Sequence, residues 1–75
     1  MKVKVKLIGP LISRMGFSEK DLEIPEESNL TFLLQKLEIP EDLPLILTVE
    51  GKGVSREHPL REGDRVVISH IYSGG

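Results

Sequence analysis

The first residues of the chain alternate strictly between charged and apolar side chains. Residues 2–7 read Lys-Val-Lys-Val-Lys-Leu, and successive side chains of a β-strand point to opposite faces of a sheet. The pattern therefore predicts a strand with Val3, Val5 and Leu7 turned inward and three lysines turned outward. A strand with one apolar face has to bury that face against a second layer.

A helical pattern in the middle of the chain can supply that second layer. Four leucines recur at helical spacing after a possible N-cap at residues 28–29, and Pro40 is expected to end the helix. A helix of about ten residues is marginal on its own. We expect its leucine stripe to lie across the sheet as core rather than to form a binding groove. The stripe consists of Leu30, Leu33, Leu34 and Leu37.

The other segments complete a sheet. Gly9-Pro10 breaks the first strand, and residues 11–18 are predicted to be a loop because their apolar side chains follow no period. Gly51-Lys52-Gly53 and Glu62-Gly63-Asp64 are predicted turns. Two strands are predicted before and after the helix: residues 21–24 with Leu22 and Ile24 inward, and Leu45–Val49 with Leu45, Leu47 and Val49 inward. Residues 54–56 are predicted to form a short edge strand. The last predicted strand is Arg65–His70, with Val66 and Ile68 inward.

Two strands, a helix and two or three further strands within 75 residues is the order of the ubiquitin-like β-grasp. We therefore expect an α+β fold in which a mixed sheet is covered on one face by a single helix. The first and last strands should lie side by side at the centre of the sheet. Residues 1–75 would form one domain, and residues 71–75 a flexible tail that projects from its body.

Composition excludes several classes of function. The chain has no cysteine, so it can form neither a disulfide nor a thiolate metal site, and it has no thiol nucleophile. A net charge of −2 and only three aromatic residues argue against nucleic-acid binding. No apolar run is long enough to cross a membrane, and no signal peptide is visible. We expect a cytoplasmic protein that binds neither nucleic acid nor membrane.

The sequence ends in Gly74-Gly75, which would make a thin arm without side chains. Such an arm can enter a narrow active site in which any Cβ would clash. Threading it costs ordering entropy, so a folded domain behind it would have to dock. The carboxylate of Gly75 is then the candidate reactive group. Gly74 would let the tail thread, and Ser73 and Tyr72 would help to anchor it.

At this point the sequence resembles the small ubiquitin-like sulfur carriers of the MoaD and ThiS type. The resemblance covers nearly the whole chain and keeps the family order. The most specific part of the resemblance is a leucine followed by Gly63-Asp64 and a strand, together with the terminal diglycine. The matching pieces are Leu22-Glu23-Ile24-Pro25-Glu26, Leu33-Leu34, Val49-Glu50-Gly51-Lys52, Leu60-Arg61-Glu62-Gly63-Asp64-Arg65-Val66 and Ser73-Gly74-Gly75.

The resemblance implies a carrier or substrate protein rather than an enzyme. An adenylyltransferase like those that activate ubiquitin would use ATP and Mg²⁺ to join AMP to Gly75, and the carrier itself would bind no cofactor. A sulfur donor of the cysteine desulfurase or rhodanese type would then convert the adenylate to a thiocarboxylate. A biosynthetic acceptor enzyme would consume the sulfur. Both the molybdopterin and the thiamine pathway remain open, and in the first the chain would be the small sulfur-donating subunit of molybdopterin synthase.

The outward face of the sheet is the candidate partner-binding surface. Ile46 and Val67 would project from neighbouring strands, flanked by Lys4, Lys6 and Ile71. A contiguous apolar patch on a small domain is typical of a contact surface, and the tail residues Tyr72 and Ser73 would extend it.

No other group of residues predicts a catalytic or metal site. His58 and His70 have no matching carboxylate or cysteine spacing, whereas a zinc site needs three or four converging ligands. We expect both to be solvent-exposed. The pairs Asp21 with Glu23 and Glu26 with Glu27 are expected to be a solvated acidic surface.

Two other functions fit the same residues. One is a protein modifier whose terminal glycine forms an isopeptide bond with lysines of other proteins. The other is a β-grasp module that only binds partners, for which the diglycine would have no role.

Overall fold

The computed structural model describes residues 1–40 and 42–71. Within them the chain forms five strands and two helices, and neither helix has the length and apolarity needed to span a membrane. In chain order the elements are β1 (Lys2–Ile8), α1 (Pro10–Met15), β2 (Glu19–Glu23), α2 (Leu30–Lys36), β3 (Leu45–Val49), β4 (Lys52–Gly53) and β5 (Arg65–His70).

The five strands form one mixed sheet in the order β2-β1-β5-β3-β4. The central pair, β1 and β5, is parallel, and Val5 lies opposite Val66. The other three pairs are antiparallel. The first and last strands are therefore neighbours at the centre, and the predicted α+β, ubiquitin-like β-grasp fold is confirmed.

Burial follows the predicted alternation in the two central strands. Val3, Val5 and Leu7 of β1 are at most 1% exposed, and Val66 and Ile68 of β5 are fully buried. In the second layer, α2 adds its leucines at positions 30, 33 and 34 to the same cluster. Each fully buried Leu, Ile or Val side chain contributes roughly 1.5–3 kcal/mol, so burial in this shared core stabilises the contact between sheet and helix.

The end of α2 differs from the prediction. The helix stops at Lys36 rather than continuing to Pro40. Glu38 adopts a φ of 60°, its N–H donates to the Gln35 carbonyl, and the N–H of Ile39 donates to the Leu34 carbonyl. These two bonds form a Schellman motif. Ile39 is thereby turned back into the core, where it is 4% exposed.

The prediction of a loop at residues 11–18, and with it of a single helix, is wrong. Pro10 opens α1 instead of preventing it, because the first position of a helix needs no N–H donor. Gly16 closes α1 with a φ of 82°, and its N–H donates to the Ile12 carbonyl. Leu11 is the only buried residue of α1, so a helix this short leaves no apolar period in the sequence.

The prediction of a short edge strand at residues 54–56 is also wrong. The edge strand is β4, at Lys52–Gly53. Glu50 and Gly51 both have positive φ values, 52° and 82°, which is the requirement of the two-residue hairpin turn that joins β3 to β4. The carboxylate of Glu50 accepts a hydrogen bond from the Arg65 N–H at 2.6 Å, and this bond helps to offset the strain of a non-glycine residue in that conformation.

Replacing Asn29 by alanine should lower the free energy of unfolding by about 1 kcal/mol. Asn29 is the N-cap of α2, and its side chain accepts a hydrogen bond from the Phe32 N–H at 2.9 Å. For a domain of this size the loss corresponds to a fall in melting temperature of roughly 4–8 °C. Asn29→Ser is the matched control, because serine can accept the same bond. Equal melting temperatures for Asn29→Ala and wild type would show that this cap contributes nothing.

Candidate functional site

The chain leaves the sheet at one end of the central strand pair. Because β1 and β5 are parallel, both end at the same end of the sheet. The N–H of Ile71 donates to the Pro44 carbonyl at 3.0 Å, which keeps Ile71 beside the start of β3. The remaining residues of the predicted tail and site, Tyr72, Ser73, Gly74 and Gly75, lie outside the described residues.

The sheet face that turns away from α2, called here the outer face, carries the predicted partner-binding side chains. Val67 lies between Lys6 on β1 and Thr48 on β3, and Ser69 lies between Ile8 and Ile46. Ile46 is 50% exposed and Val67 is half-buried, while its neighbours in β5 are fully buried. The predicted outward orientation of Val67 is confirmed.

An apolar patch occupies the part of the outer face nearest to Ile71. It consists of Ile8, Ile46, Val67 and Ile71, of which the three isoleucines are 45%, 50% and 43% exposed. Ile8 was missed in the sequence analysis. Its outward position could have been predicted, because the alternation that places Lys2, Lys4 and Lys6 outward also places residue 8 outward.

Charged residues occupy the other part of the outer face. Lys4, Lys6, Glu19, Arg65 and Val67 line a shallow cavity of about 380 Å³ there. The Lys4 Nζ lies 3.7 Å from a Glu19 carboxylate oxygen. Both side chains are about half exposed, so this ion pair contributes little to stability. The outer face is thus apolar near the chain exit and charged away from it, and Val67, which also lines the cavity, lies at the border between the two parts.

A second cavity, of about 440 Å³, lies beside the chain exit on the α1 side. We call it the tail-root groove. It is lined by Pro10, Leu11, Ser13 and Arg14 of α1, by Leu43 before β3, and by His70 at the end of β5. This groove was not predicted, because residues 11–18 were expected to form a loop.

The two histidines are half-buried rather than exposed as predicted. His58 closes a turn in which its N–H donates to the Ser55 carbonyl, and its own carbonyl accepts from the Leu30 N–H, so the turn packs against α2. His70 lies beside α1 in the tail-root groove. Within residues 1–40 and 42–71 no three His, Asp or Glu side chains lie close enough to hold a metal ion. Asp21, Glu23 and the neighbouring acidic pair are exposed, as predicted.

Several solved structures share this fold. SAMP1 from Haloferax volcanii matches with a TM-score of 0.85 at 13% identity over 100% of both chains. A Pyrococcus furiosus protein described as molybdopterin converting factor subunit 1 matches with a TM-score of 0.83 at 24% identity, over 93% of this chain and 97% of that one. Subunits 1 and 2 of the molybdopterin-converting factor from Helicobacter pylori 26695 were solved as a complex, and the match there has a TM-score of 0.68 at 20% identity over 100% of both chains.

Sequence comparison adds the family. A search of curated proteins found no match. The model of the ThiS family, however, matches residues 5–75, which include every strand and helix described above except the first residues of β1. The structural matches to molybdopterin converting factor subunits agree with the resemblance to MoaD and ThiS carriers. The chain belongs to the ThiS family, a group of ubiquitin-like proteins with the β-grasp fold.

Proposed function

We propose that this protein is a cytoplasmic sulfur carrier whose terminal residue, Gly75, is adenylated and then converted to a thiocarboxylate. The observation that carries the proposal is the family match over residues 5–75, which includes the diglycine. The parallel pairing of β1 with β5 supports it, because the central strand then leads directly to Ile71 and the diglycine sequence beyond it. The chain would act as substrate and donor, not as catalyst.

The chemistry needs an activating partner. A carboxylate is a poor electrophile. Its attack on the α-phosphorus of ATP, bound with Mg²⁺ in an adenylyltransferase, would expel pyrophosphate and leave an acyl adenylate with a good leaving group. The terminal sulfur of a persulfide on a donor protein of the cysteine desulfurase or rhodanese type would then attack the acyl carbon and expel AMP. A thiol would cleave the resulting acyl disulfide, which leaves the thiocarboxylate on Gly75 and a new disulfide between that thiol and the donor's cysteine. Because the chain has no cysteine, no thiol of its own could attack the activated terminus.

Docking would be the task of the outer face. Four residues follow Ile71, and a fully extended segment of that length spans at most about 14 Å. An enzyme that reacts with Gly75 must therefore approach the chain exit closely, and the apolar patch lies beside that exit. We propose that Ile8, Ile46, Val67 and Ile71 pack against the activating enzyme or the acceptor enzyme, with Tyr72 and Ser73 continuing the contact.

The acceptor would be a biosynthetic enzyme of the molybdopterin or the thiamine pathway. In the Helicobacter pylori complex, subunit 1 of the converting factor is bound to subunit 2, which supports a second subunit as acceptor here. The match to the ThiS family supports a thiamine-type acceptor equally well. Either enzyme would consume the same thiocarboxylate.

A second candidate function is protein modification. The fold matches two structures of small archaeal modifier protein 1 (SAMP1) from Haloferax volcanii. A modifier would use the same adenylated Gly75, but a lysine of a target protein rather than sulfur would displace AMP. A module that only binds partners would use neither step.

Incubation with the adenylyltransferase of the same genome, ATP, Mg²⁺ and a sulfur donor should add the mass of one sulfur-for-oxygen exchange to Gly75. That shift is about 16 Da, and oxidation of a methionine adds nearly the same nominal mass. The protein must therefore be fragmented, and the shift assigned to the C-terminal peptide rather than to the peptides that contain Met1 or Met15. A sample without ATP is the control.

The same experiment separates the alternatives. An unshifted C-terminal peptide together with larger conjugates on lysines of other proteins would favour the modifier. An unshifted peptide without pyrophosphate release would leave the binding module as the better explanation.

A further inference from the structure

The tail-root groove combines apolar residues with two basic ones, Arg14 and His70. Its apolar lining consists of Leu11, which is 2% exposed, the exposed Pro10 and the half-buried Leu43. The cavity of about 440 Å³ is large enough for one apolar side chain of a partner protein.

Arg14 is the cation at the rim of this groove. It is exposed, and among the described residues its guanidinium forms no hydrogen bond or ion pair. The chain as a whole carries a net charge of −2, so it has no general attraction to acidic surfaces. A contact between Arg14 and a carboxylate of a partner would therefore be a local one. Arginine without a partner at a surface is well suited to bind a carboxylate in a bidentate manner.

The position of the groove limits what can cover it. It is lined by His70, and Gly75 is the fifth residue after His70. Whatever reacts with Gly75 must approach to within about 14 Å of Ile71, the reach of four extended residues. The groove therefore lies within reach of the rim of an enzyme that accepts the tail.

We propose that the tail-root groove receives an apolar side chain from the rim of the adenylating enzyme, and that Arg14 pairs with an Asp or Glu next to that side chain. This proposal rests on the proposed function and adds to it a residue that selects the partner. The apolar patch supplies contact area on the outer face, while the groove fixes how the enzyme is oriented about the chain exit.

A purely structural role for Arg14 predicts a different result. Arg14 lies in the last turn of α1, where a cation interacts favourably with the negative end of the helix. If that were its whole contribution, Arg14→Glu would lower the melting temperature and leave recognition by the enzyme unchanged. The test must therefore measure both stability and kinetics.

The experiment is ATP–pyrophosphate exchange by the adenylyltransferase of the same genome, with wild-type chain, Arg14→Glu and Arg61→Glu as substrates. Arg61 is also exposed and lies in the turn before β5, at the opposite end of that strand from the chain exit. Arg61→Glu therefore changes the net charge by the same amount as Arg14→Glu but does so away from the groove. We expect Arg14→Glu to raise KM for the carrier about tenfold with kcat unchanged, and Arg61→Glu to behave like wild type. The effect should shrink as salt is added, because exposed charge pairs are screened.

A second variant tests the cavity independently of charge. Ser13 lines the groove and is exposed, so Ser13→Trp should fill the groove without removing Arg14 and should also raise KM. Support for the proposal would be complete if reversal of one rim carboxylate of the enzyme to lysine restored the KM of Arg14→Glu.

Each remaining outcome overturns the proposal. Equal KM values for Arg14→Glu and Arg61→Glu would show that the enzyme does not contact the groove, while the proposed function would stand. A lower melting temperature for Arg14→Glu with unchanged KM would assign Arg14 to the helix alone. No exchange with the folded wild-type chain would reject both the proposed function and the groove contact.

Discussion

Deletion of Gly75, or replacement of Gly74 by valine, is expected to abolish adenylation and to leave the fold intact. The buried apolar residues of the described core all lie at or before Ile68, so neither change removes a core side chain. Deletion moves the reacting carboxylate one residue back along the tail. Valine adds a β-branched side chain to a segment that has to pass through a narrow channel.

ATP–pyrophosphate exchange measures the loss, and a thermal melt checks the fold. Exchange should fall to background for both variants, and the melting temperature should stay within about 1 °C of wild type, since the change lies outside the core. Gly53→Val is the matched control. Gly53 is in β4, and a Cβ built there meets nothing within 4 Å. Normal exchange by the chain that lacks Gly75 would show that the terminal-carboxylate mechanism is wrong.

The two central strands of this fold could be predicted because each has one buried face. In β1 every second residue is buried, and in β5 Val66 and Ile68 are, so the period of two was visible in the sequence and fixed which valines point inward. The same parity places Ile8 on the outer face. That residue was missed only because the pattern was read as ending at Leu7.

The short elements could not be predicted in the same way. α1 buries one side chain, and β4 has two exposed residues, so neither leaves a period in the sequence. Their bounds depend on backbone conformation instead. Gly16 at the end of α1 and Glu50 before β4 both have positive φ, and for a glutamate such a conformation cannot be inferred from residue type.

The same limit applies to the candidate site. The apolar patch follows from strand parity together with the central pairing of β1 and β5, and most of it was therefore accessible from the sequence. The tail-root groove requires the position of α1 against those two strands, which no local pattern encodes. The roles of Gly74 and Gly75 come from the sequence and the family, and they remain predictions.

The second large effect is expected from two adjacent valines that should respond in opposite ways to the same substitution. Val66 is fully buried and pairs with Val5 and Val49 in the centre of the sheet. An aspartate there would be buried without a partner, which we expect to cost roughly 4 kcal/mol. A domain of this size is stable by roughly 4–11 kcal/mol, so Val66→Asp should keep at most about 7 kcal/mol of that stability and should melt far below wild type.

Val67→Asp should instead remain folded and dock poorly. Val67 is on the outer face, where its neighbours in register are Lys6 and Thr48, and Lys6 can partly compensate the new charge. The free energy of unfolding should change by less than about 1 kcal/mol. Because a charge in the apolar patch must be desolvated at an interface, KM for the carrier in adenylation should rise at least about tenfold. Val67→Thr, which keeps the β-branched shape, should be much milder.

Circular dichroism melts of the two aspartate variants, combined with exchange kinetics of the folded one, test both statements. A folded Val67→Asp with normal KM would show that the adenylating enzyme does not use the apolar patch, and docking would then have to depend on the tail and the tail-root groove. An unfolded Val67→Asp beside a stable Val66→Asp would mean that the side chains of β5 point the opposite way. Since a shift of one residue moves every side chain of a strand to the other face, this pair of variants tests the register of the central strand and the location of the docking surface in one comparison.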